Sequence, residues 1–189
     1  MLGWLFKRRG PVFKYTCECC GEVHEGAPSY AYRYPTWYFS VPEEERAARV
    51  TWTEDLCEIK PGAGIGEETL YAIRAVLEIP ILGTDDVFTW GVWVTQSQES
   101  FHRYGESFGA DQAGMSSFGW LPVTMPPYLR GGAEADTEYL ECEVRWGPKG
   151  QRPKVELWGC DHPVFLDQRD GITVERAIAM AKQLRVRMH

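Results

Sequence analysis

Apolar residues recur at every second position in several stretches of the chain, which is the spacing of β-strands with one buried face. Residues 71–79 alternate in this way and end at Pro80, and residues 88–94 alternate again after a turn containing Asp85 and Asp86. Because only a short turn separates them, the two stretches predict an antiparallel hairpin at the centre of a sheet.

Shorter stretches of the same kind predict the other strands. They lie at residues 13–17, 30–34, 50–59, 139–146 and 154–158. Residues 105–132 are rich in Gly and Pro, so we predict a long ordered loop there, packed by its aromatic side chains.

Three stretches predict helices. Ser40 and Glu43 have the spacing of a capping box and would open a short helix through Arg49, and Ser97 would cap a second helix. The clearest helix is C-terminal, where one apolar stripe contains Val174, Ala177, Ile178, Ala181 and Leu184. Since the strands come in hairpins without regular strand–helix alternation, we predict an α+β fold, an antiparallel sheet with a C-terminal helix.

Length and composition fit one globular domain. The chain has 189 residues, of which 44% are apolar. We assign residues 1–12 to an N-terminal tail of apolar and basic residues, and residues 13–189 to a single domain. No stretch approaches the ~18 apolar residues of a membrane span, and the tail lacks the residue order of a secretory signal. We therefore expect a cytoplasmic protein without stable insertion into a membrane.

The net charge limits the partners. Lys and Arg number 20 against 27 Asp and Glu, which leaves a charge of −7. A sequence-tolerant nucleic-acid binder neutralises phosphates with cations, so this class is excluded. The same charge would accelerate encounter with a basic protein partner. It does not fix an oligomeric state.

The strongest chemical signal is the run Cys-Glu-Cys-Cys-Gly at residues 17–21. Two thiolates three residues apart can bind one tetrahedral Zn²⁺ ion when the backbone between them turns tightly, and a following Gly permits that turn. Cys17 and Cys20 have this spacing, and Cys17 with Cys19 is the alternative pair. We therefore predict a zinc-knuckle-like element near the N-terminus of the domain.

The remaining zinc ligands must come from single residues, because the chain has no second Cys-x-x-Cys motif. The candidates are His24, Cys57 and His162. Two of them also have simpler interpretations: a lone Cys57 is usual in a core, and His162 before a proline can hydrogen-bond a loop backbone. Cys142 lies on the apolar face of its strand, so we assign it to the core. A thiol redox role needs a helix start after the Cys-x-x-Cys motif, and residues 22–26 do not predict one, so redox chemistry of Cys17, Cys19 and Cys20 is the least favoured alternative.

A series of motifs carries a family resemblance. Cys-x-x-Cys-Gly-x-x-His-x-Gly at residues 17–26 is followed by Pro-Glu-Glu-Glu-Arg at 42–46, Asp-Leu-Cys at 55–57 and Leu-Glu-Ile-Pro at 77–80. Later motifs are Trp-Gly-Val-Trp-Val at 90–94, Phe-Gly-Trp-Leu at 118–121, His-Pro at 162–163 and Gln-Arg-x-Gly-Ile at 168–172. From about residue 15 onwards, the chain resembles the bacterial family catalogued as domain of unknown function 2199.

The resemblance implies no established activity, but it selects among the candidate ligands. His162 falls in the motifs that carry the resemblance, as do Cys17, Cys20, His24 and Cys57. On this ground we predict a structural zinc ion bound by Cys17, Cys20, His24 and Cys57, with His162 as the substitute for His24.

These signals are compatible with two functions. The first is a non-enzymatic, zinc-stabilised module that binds another protein, for example an immunity protein or regulator that masks a basic toxin. The second is a zinc-dependent hydrolase, in which a metal ion held by Cys and His keeps an open position for water and Glu25 accepts the proton. The Gly-x-Ser-x-Gly match at residues 105–109 lacks the buried strand and long helix of a nucleophile elbow, so we assign no catalytic residues. We favour the binding module.

Overall fold

The computed structural model describes residues 13–16, 21–27, 29–129, 137–159 and 161–186. Its strands are β1 Lys14–Thr16, β2 Val23–Glu25, β3 Ser29–Ala31, β4 Val50–Trp52, β5 Leu56–Ile59, β6 Leu70–Pro80, β7 Val87–Thr95, β8 Ser116–Trp120, β9 Glu141–Arg145 and β10 Lys154–Leu157. Its helices are α1 Trp37–Ser40, α2 Glu43–Arg49, α3 Gln98–Ser107, α4 Pro163–Asp170 and α5 Val174–Val186, with a 3-10 turn at Pro126–Tyr128. None of these described helices is long and apolar enough to cross a membrane.

The predicted hairpin forms the centre of an eight-stranded sheet. β6 and β7 pair antiparallel, from Ala72 opposite Thr95 to Pro80 opposite Val87. The order of neighbours is β3-β7-β6-β10-β9-β8, and β5 and β4 extend the sheet beside the first residues of β6. β1 and β2 form a separate two-stranded sheet. The alternating side chains form the buried face of the hairpin, which contains Ile73, Ala75, Leu77, Ile79, Phe88, Trp90, Val92 and Val94.

The prediction of an antiparallel sheet is wrong for two strand pairs. β3 runs parallel to β7, and β10 runs parallel to β6, with Lys154 opposite Val76. A hairpin pattern predicts only the pairing of strands that follow one another along the chain. β3 and β10 reach their partners from distant parts of the sequence, so no tight turn fixes their direction. The α+β class and the β9–β10 hairpin are confirmed.

Residues 50–59 form two strands instead of the single predicted strand. The hydroxyl oxygen of Thr53 accepts hydrogen bonds from the backbone N–H groups of Asp55 and Leu56, which stabilises the turn between β4 and β5. The Asp55 carboxylate then forms an ion pair of 2.7 Å with Arg152, just before β10. This ion pair links the segments that lead into β5 and β10, the two strands that pair with the same edge of β6.

α2, α3 and α5 occupy the predicted helical stretches. The side chain of Ser97 accepts a hydrogen bond from the N–H of Ser100 and caps α3 as predicted. The capping box predicted for α2 is wrong, because α2 follows Pro42 without a side-chain cap and Ser40 is the last residue of α1. The predicted stripe of α5 buries Ala177, Ala181 and Leu184.

α4 was not predicted, because its eight residues carry no clear apolar stripe. Its Gln168 side chain donates to the backbone oxygen of Val155 at 2.7 Å and accepts from the N–H of Leu157 at 2.9 Å. Directly after α4, the N–H of Ile172 donates to the oxygen of Pro80. The motif at residues 168–172 therefore attaches the C-terminal helices to β10 and to the end of β6.

The predicted loop at residues 105–132 contains a strand, β8, that pairs antiparallel with β9. β8 also approaches the end of β7, where the N–H of Trp120 donates to the hydroxyl of Thr95 at 2.8 Å and the hydroxyl of Ser117 donates to Gln96 at 2.7 Å. Sequence pattern missed this strand because its alternation includes Gly119 in place of an apolar side chain.

Gly119 lies at the closest approach of β8 to β7. A side-chain carbon at this position would overlap the backbone oxygen of Thr95 and would lie 2.7 Å from Cγ2 of Val94. Because successive side chains of a strand point to opposite faces, a buried Gly119 places Phe118 and Trp120 on the outer face.

Gly119→Ala should lower the free energy of unfolding by about 1–3 kcal/mol, because the added methyl group overpacks a contact with backbone atoms. Gly109→Ala is the matched control, since no atom lies within 4 Å of the added carbon at Gly109. Urea unfolding followed by circular dichroism measures both variants. Equal stability of the two would contradict the close packing of β8 against β7.

Candidate functional site

The predicted metal site is centred on the β1–β2 hairpin. Thr16 and Val23 are register partners, so residues 17–22 connect the two strands. Cys17 and Cys20 belong to this connection and lie outside the described residues, so the zinc knuckle stays a prediction. Gly21 has a φ of +73°, a left-handed conformation that glycine adopts without strain.

His24 is the predicted ligand that the structure places on this hairpin. It lies opposite Tyr15, and the two rings stack with their centroids 5.4 Å apart. A cavity of about 380 Å³ adjoins His24 and is also lined by Phe88 and by α5. The neighbouring Glu25 forms an ion pair with Lys14. The proton acceptor of the hydrolase alternative is thus engaged with a cation.

Cys57 lies away from this hairpin. It is buried in β5 opposite Ala72, whereas Phe88, which lines the cavity beside His24, is opposite Ile79. The strand from Ala72 to Ile79 spans roughly 23 Å. Burial raises the pKa of the Cys57 thiol to about 12. The structure therefore does not bring Cys57 and His24 together.

His162 caps a helix. Its Nδ1 accepts a hydrogen bond of 3.2 Å from the N–H of Val164, and the side chain is buried at the start of α4. This geometry matches the simpler interpretation, a histidine that hydrogen-bonds the local backbone. Within the part of the chain that the structure describes, no three His, Cys, Asp or Glu side chains are grouped to hold a metal ion.

Ser107 has a structural role. It is the last residue of α3, and its hydroxyl donates to the backbone oxygen of Arg103 and accepts from the amide of Gln112 at 2.6 Å. The Gly-x-Ser-x-Gly segment therefore ends a helix and is not a strand-to-helix elbow.

An exposed group of three rings, which we call the outer aromatic surface, covers the outer face of β8–β10. It consists of Phe118, Trp120 and Trp158, whose exposed fractions are 37%, 40% and 48%. The ring centroid of Phe118 lies 4.5 Å from that of Trp120 and 4.9 Å from that of Trp158. Its contiguous exposed rings make this surface a candidate interaction site.

Sequence reasoning missed this surface. The motif Phe-Gly-Trp contains the signal, because a glycine between two aromatic residues of a strand leaves the buried face without a side chain. That signal has meaning only once β8 is known to be a strand and Gly119 is known to face β7.

Acidic residues surround the outer aromatic surface. Arg145 forms ion pairs with both Glu143 and Glu156, and Lys154 forms one with Glu78. With the exposed Glu141 of β9 and the buried Arg74 of β6, these strands carry four carboxylates against three cations, which leaves a surplus of one negative charge.

A second exposed aromatic cluster has a different electrostatic character. It lies around α1 and contains Tyr34, Tyr38, Phe39 and Trp52. The guanidinium of Arg33 lies 5.3 Å from the ring centroid of Tyr34, and that of Arg46 lies 4.8 Å from the ring centroid of Tyr38. Cations of this chain already occupy its ring faces.

A family model described as "uncharacterized protein conserved in bacteria (DUF2199)" matches residues 16–172. The chain belongs to this family. The resemblance drawn from the sequence motifs is thereby confirmed. The matched range includes Cys17, Cys20 and all three rings of the outer aromatic surface. No curated protein and no solved structure matches the chain.

Cys142 supplies a test of the core beneath the outer aromatic surface. It is buried in β9 as predicted, its Sγ donates to the backbone oxygen of Gly119 at 3.3 Å, and burial raises its pKa from 9.0 to about 12. The folded protein therefore keeps this proton at pH values where the unfolded chain releases it. The contribution to stability is complete below pH 9 and is lost as the pH rises towards 12.

Cys142→Ala should flatten the loss of unfolding free energy above pH 9 by up to about 1.4 kcal/mol per pH unit, because one proton fewer is linked to unfolding. Urea titrations of the wild type and the variant at pH 8 and at several higher values measure the slope. Parallel slopes would show that the Cys142 thiol is not held in its neutral form by the core.

Proposed function

We propose that this protein is a non-enzymatic interaction module that binds a basic partner protein through the outer aromatic surface. The exposure of Phe118, Trp120 and Trp158 as one contiguous group is the observation that supports this most. Aromatic residues supply much of the binding energy at protein interfaces when a partner covers them. Masking a basic bacterial toxin, or regulating a basic protein, would suit such a surface.

Charge supports the choice of partner. The chain has a net charge of −7, and the strands beneath the outer aromatic surface carry a surplus of carboxylates. An acidic surface attracts a basic protein over long range and raises the association rate at low salt. The second aromatic cluster lacks this complementarity, because Arg33 and Arg46 lie over its rings.

Photo-crosslinking in the bacterium of origin tests this proposal. A photoreactive phenylalanine replaces Trp158 in the full chain, and Phe39, which is 65% exposed in the second cluster, is the matched control position. We expect one basic protein to be crosslinked from position 158 and not from position 39. Its purified form should associate at a rate that falls about tenfold or more between low and high salt.

Several unrelated crosslinked proteins, equal crosslinking from both positions, or an association rate that is independent of salt would each overturn the proposal. The salt dependence separates a charge-guided partner from a protein that merely adheres to exposed rings.

We also propose that a structural zinc ion stabilises the β1–β2 hairpin, with Cys17, Cys20 and His24 as three of its four protein ligands. The paired ends of the hairpin at Thr16 and Val23 and the left-handed Gly21 support a tight connection of the type that a zinc knuckle needs. We leave Cys57 out of the proposed ligands, because it is buried in β5 opposite Ala72.

Mass spectrometry of metal content in untagged, reduced protein measures this directly. We expect about one zinc per chain, lost in Cys17→Ser and in Cys20→Ser and retained in Cys57→Ser and in the core control Cys142→Ser. If Cys57→Ser loses the zinc and Cys142→Ser retains it, Cys57 is a ligand after all. A wild-type protein that folds without metal would end the zinc proposal.

A further inference from the structure

Three exposed residues lie side by side on the outer face of the sheet, namely Trp120, Glu141 and Trp158. Trp120 of β8 is the register partner of Glu141 of β9, and the N–H of Trp158 donates to the backbone oxygen of Glu141 at 2.9 Å. Directly opposite residues of neighbouring strands point to the same face with their Cβ atoms about 5 Å apart. A carboxylate therefore stands on the strand between two tryptophans.

Glu141 differs from the other carboxylates of this face. Glu143 and Glu156 share Arg145, and Glu78 pairs with Lys154. Among the residues that the structure describes, no cation forms an ion pair with Glu141. An aromatic surface with an uncompensated carboxylate at its centre is complementary to a cation.

We propose that Trp120, Glu141 and Trp158 form a receptor for one arginine side chain of the partner protein. This inference rests on the proposed function and names the group that the outer aromatic surface recognises. A guanidinium is planar, stacks on indole rings and donates to a carboxylate through two N–H groups at once, whereas a lysine ammonium is a compact and strongly hydrated charge.

Arginine side chains of this chain already lie over tryptophan rings. The guanidinium of Arg74 lies 4.7 Å from the ring centroid of Trp93, and that of Arg33 lies 5.8 Å from the ring centroid of Trp52. The first contact is buried and the second is at the surface, so cation–π contacts to tryptophan form in both environments of this fold.

A groove beside Trp120 gives the receptor room for the rest of a partner segment. It has a volume of about 400 Å³ and is lined by Trp37, Tyr139 and Gln96 as well as by Trp120. Trp120 is therefore shared by the receptor and the groove.

Titration of the full chain with a capped Gly-Arg-Gly tripeptide, followed through the indole N–H signals in ¹H–¹⁵N spectra, tests the receptor. The citrulline tripeptide is the neutral isosteric control, and the lysine tripeptide tests the preference for a guanidinium. We expect the arginine probe to shift the indole signals of Trp120 and Trp158, with weaker binding of lysine and no response to citrulline.

Variants locate the site. Glu141→Gln should raise the apparent Kd about fivefold or more, because the carboxylate no longer opposes the cation. Glu143→Gln is the matched control, since Arg145 already pairs with Glu143, and it should leave the Kd within about twofold. The unchanged signals of the buried tryptophans report that each variant is folded.

Equal shifts with citrulline, or an unchanged Kd in Glu141→Gln, would overturn the receptor. A basic partner crosslinked from position 158 together with no response to the arginine probe would leave the proposed function standing and remove this inference. Failure of both experiments would remove both.

Discussion

The contact between β8 and the end of β7 decides which side chains of the outer sheet reach solvent. Gly119 fills this contact with backbone alone, since a side-chain carbon there would overlap Thr95. The hydrogen bonds from Trp120 to Thr95 and from Ser117 to Gln96 hold the two strands in this register. With the glycine turned inwards, the pleat of the strand turns Phe118 outwards together with Trp120. The outer aromatic surface is therefore a consequence of close backbone packing.

The central hairpin and the C-terminal helix could be predicted from sequence because their apolar periodicity is long and uninterrupted. The parallel neighbours β3 and β10 could not, since no local turn sets the direction of strands that meet from distant parts of a chain. α4 escaped prediction for another reason. Its attachment depends on one amide, that of Gln168, whose bonds to β10 have no periodic signature.

The candidate sites, too, could be predicted from sequence only in part. Spacing alone predicts Cys17 and Cys20 as a metal-binding pair. It could not tell that Cys57 lies opposite Ala72 in a core strand, far along β6 from the cavity next to His24. The outer aromatic surface depends on register across three strands. Its members Trp120 and Trp158 are 38 positions apart in sequence, and both contact Phe118 because β8 and β10 pair with opposite edges of β9.

The central claim is that the outer aromatic surface serves binding and is not part of the core, and the unfolding free energy of the double variant Trp120→Thr/Trp158→Thr tests it most directly. Threonine suits an exposed strand. Because the two indoles are 40% and 48% exposed, each substitution removes roughly half of the burial of a core tryptophan, and we predict a folded protein whose unfolding free energy falls by about 2–4 kcal/mol in total. A loss of about 6–10 kcal/mol, the cost of truncating two fully buried aromatic side chains, would contradict the account. The rings would then be part of the core, and their exposure would carry no functional meaning.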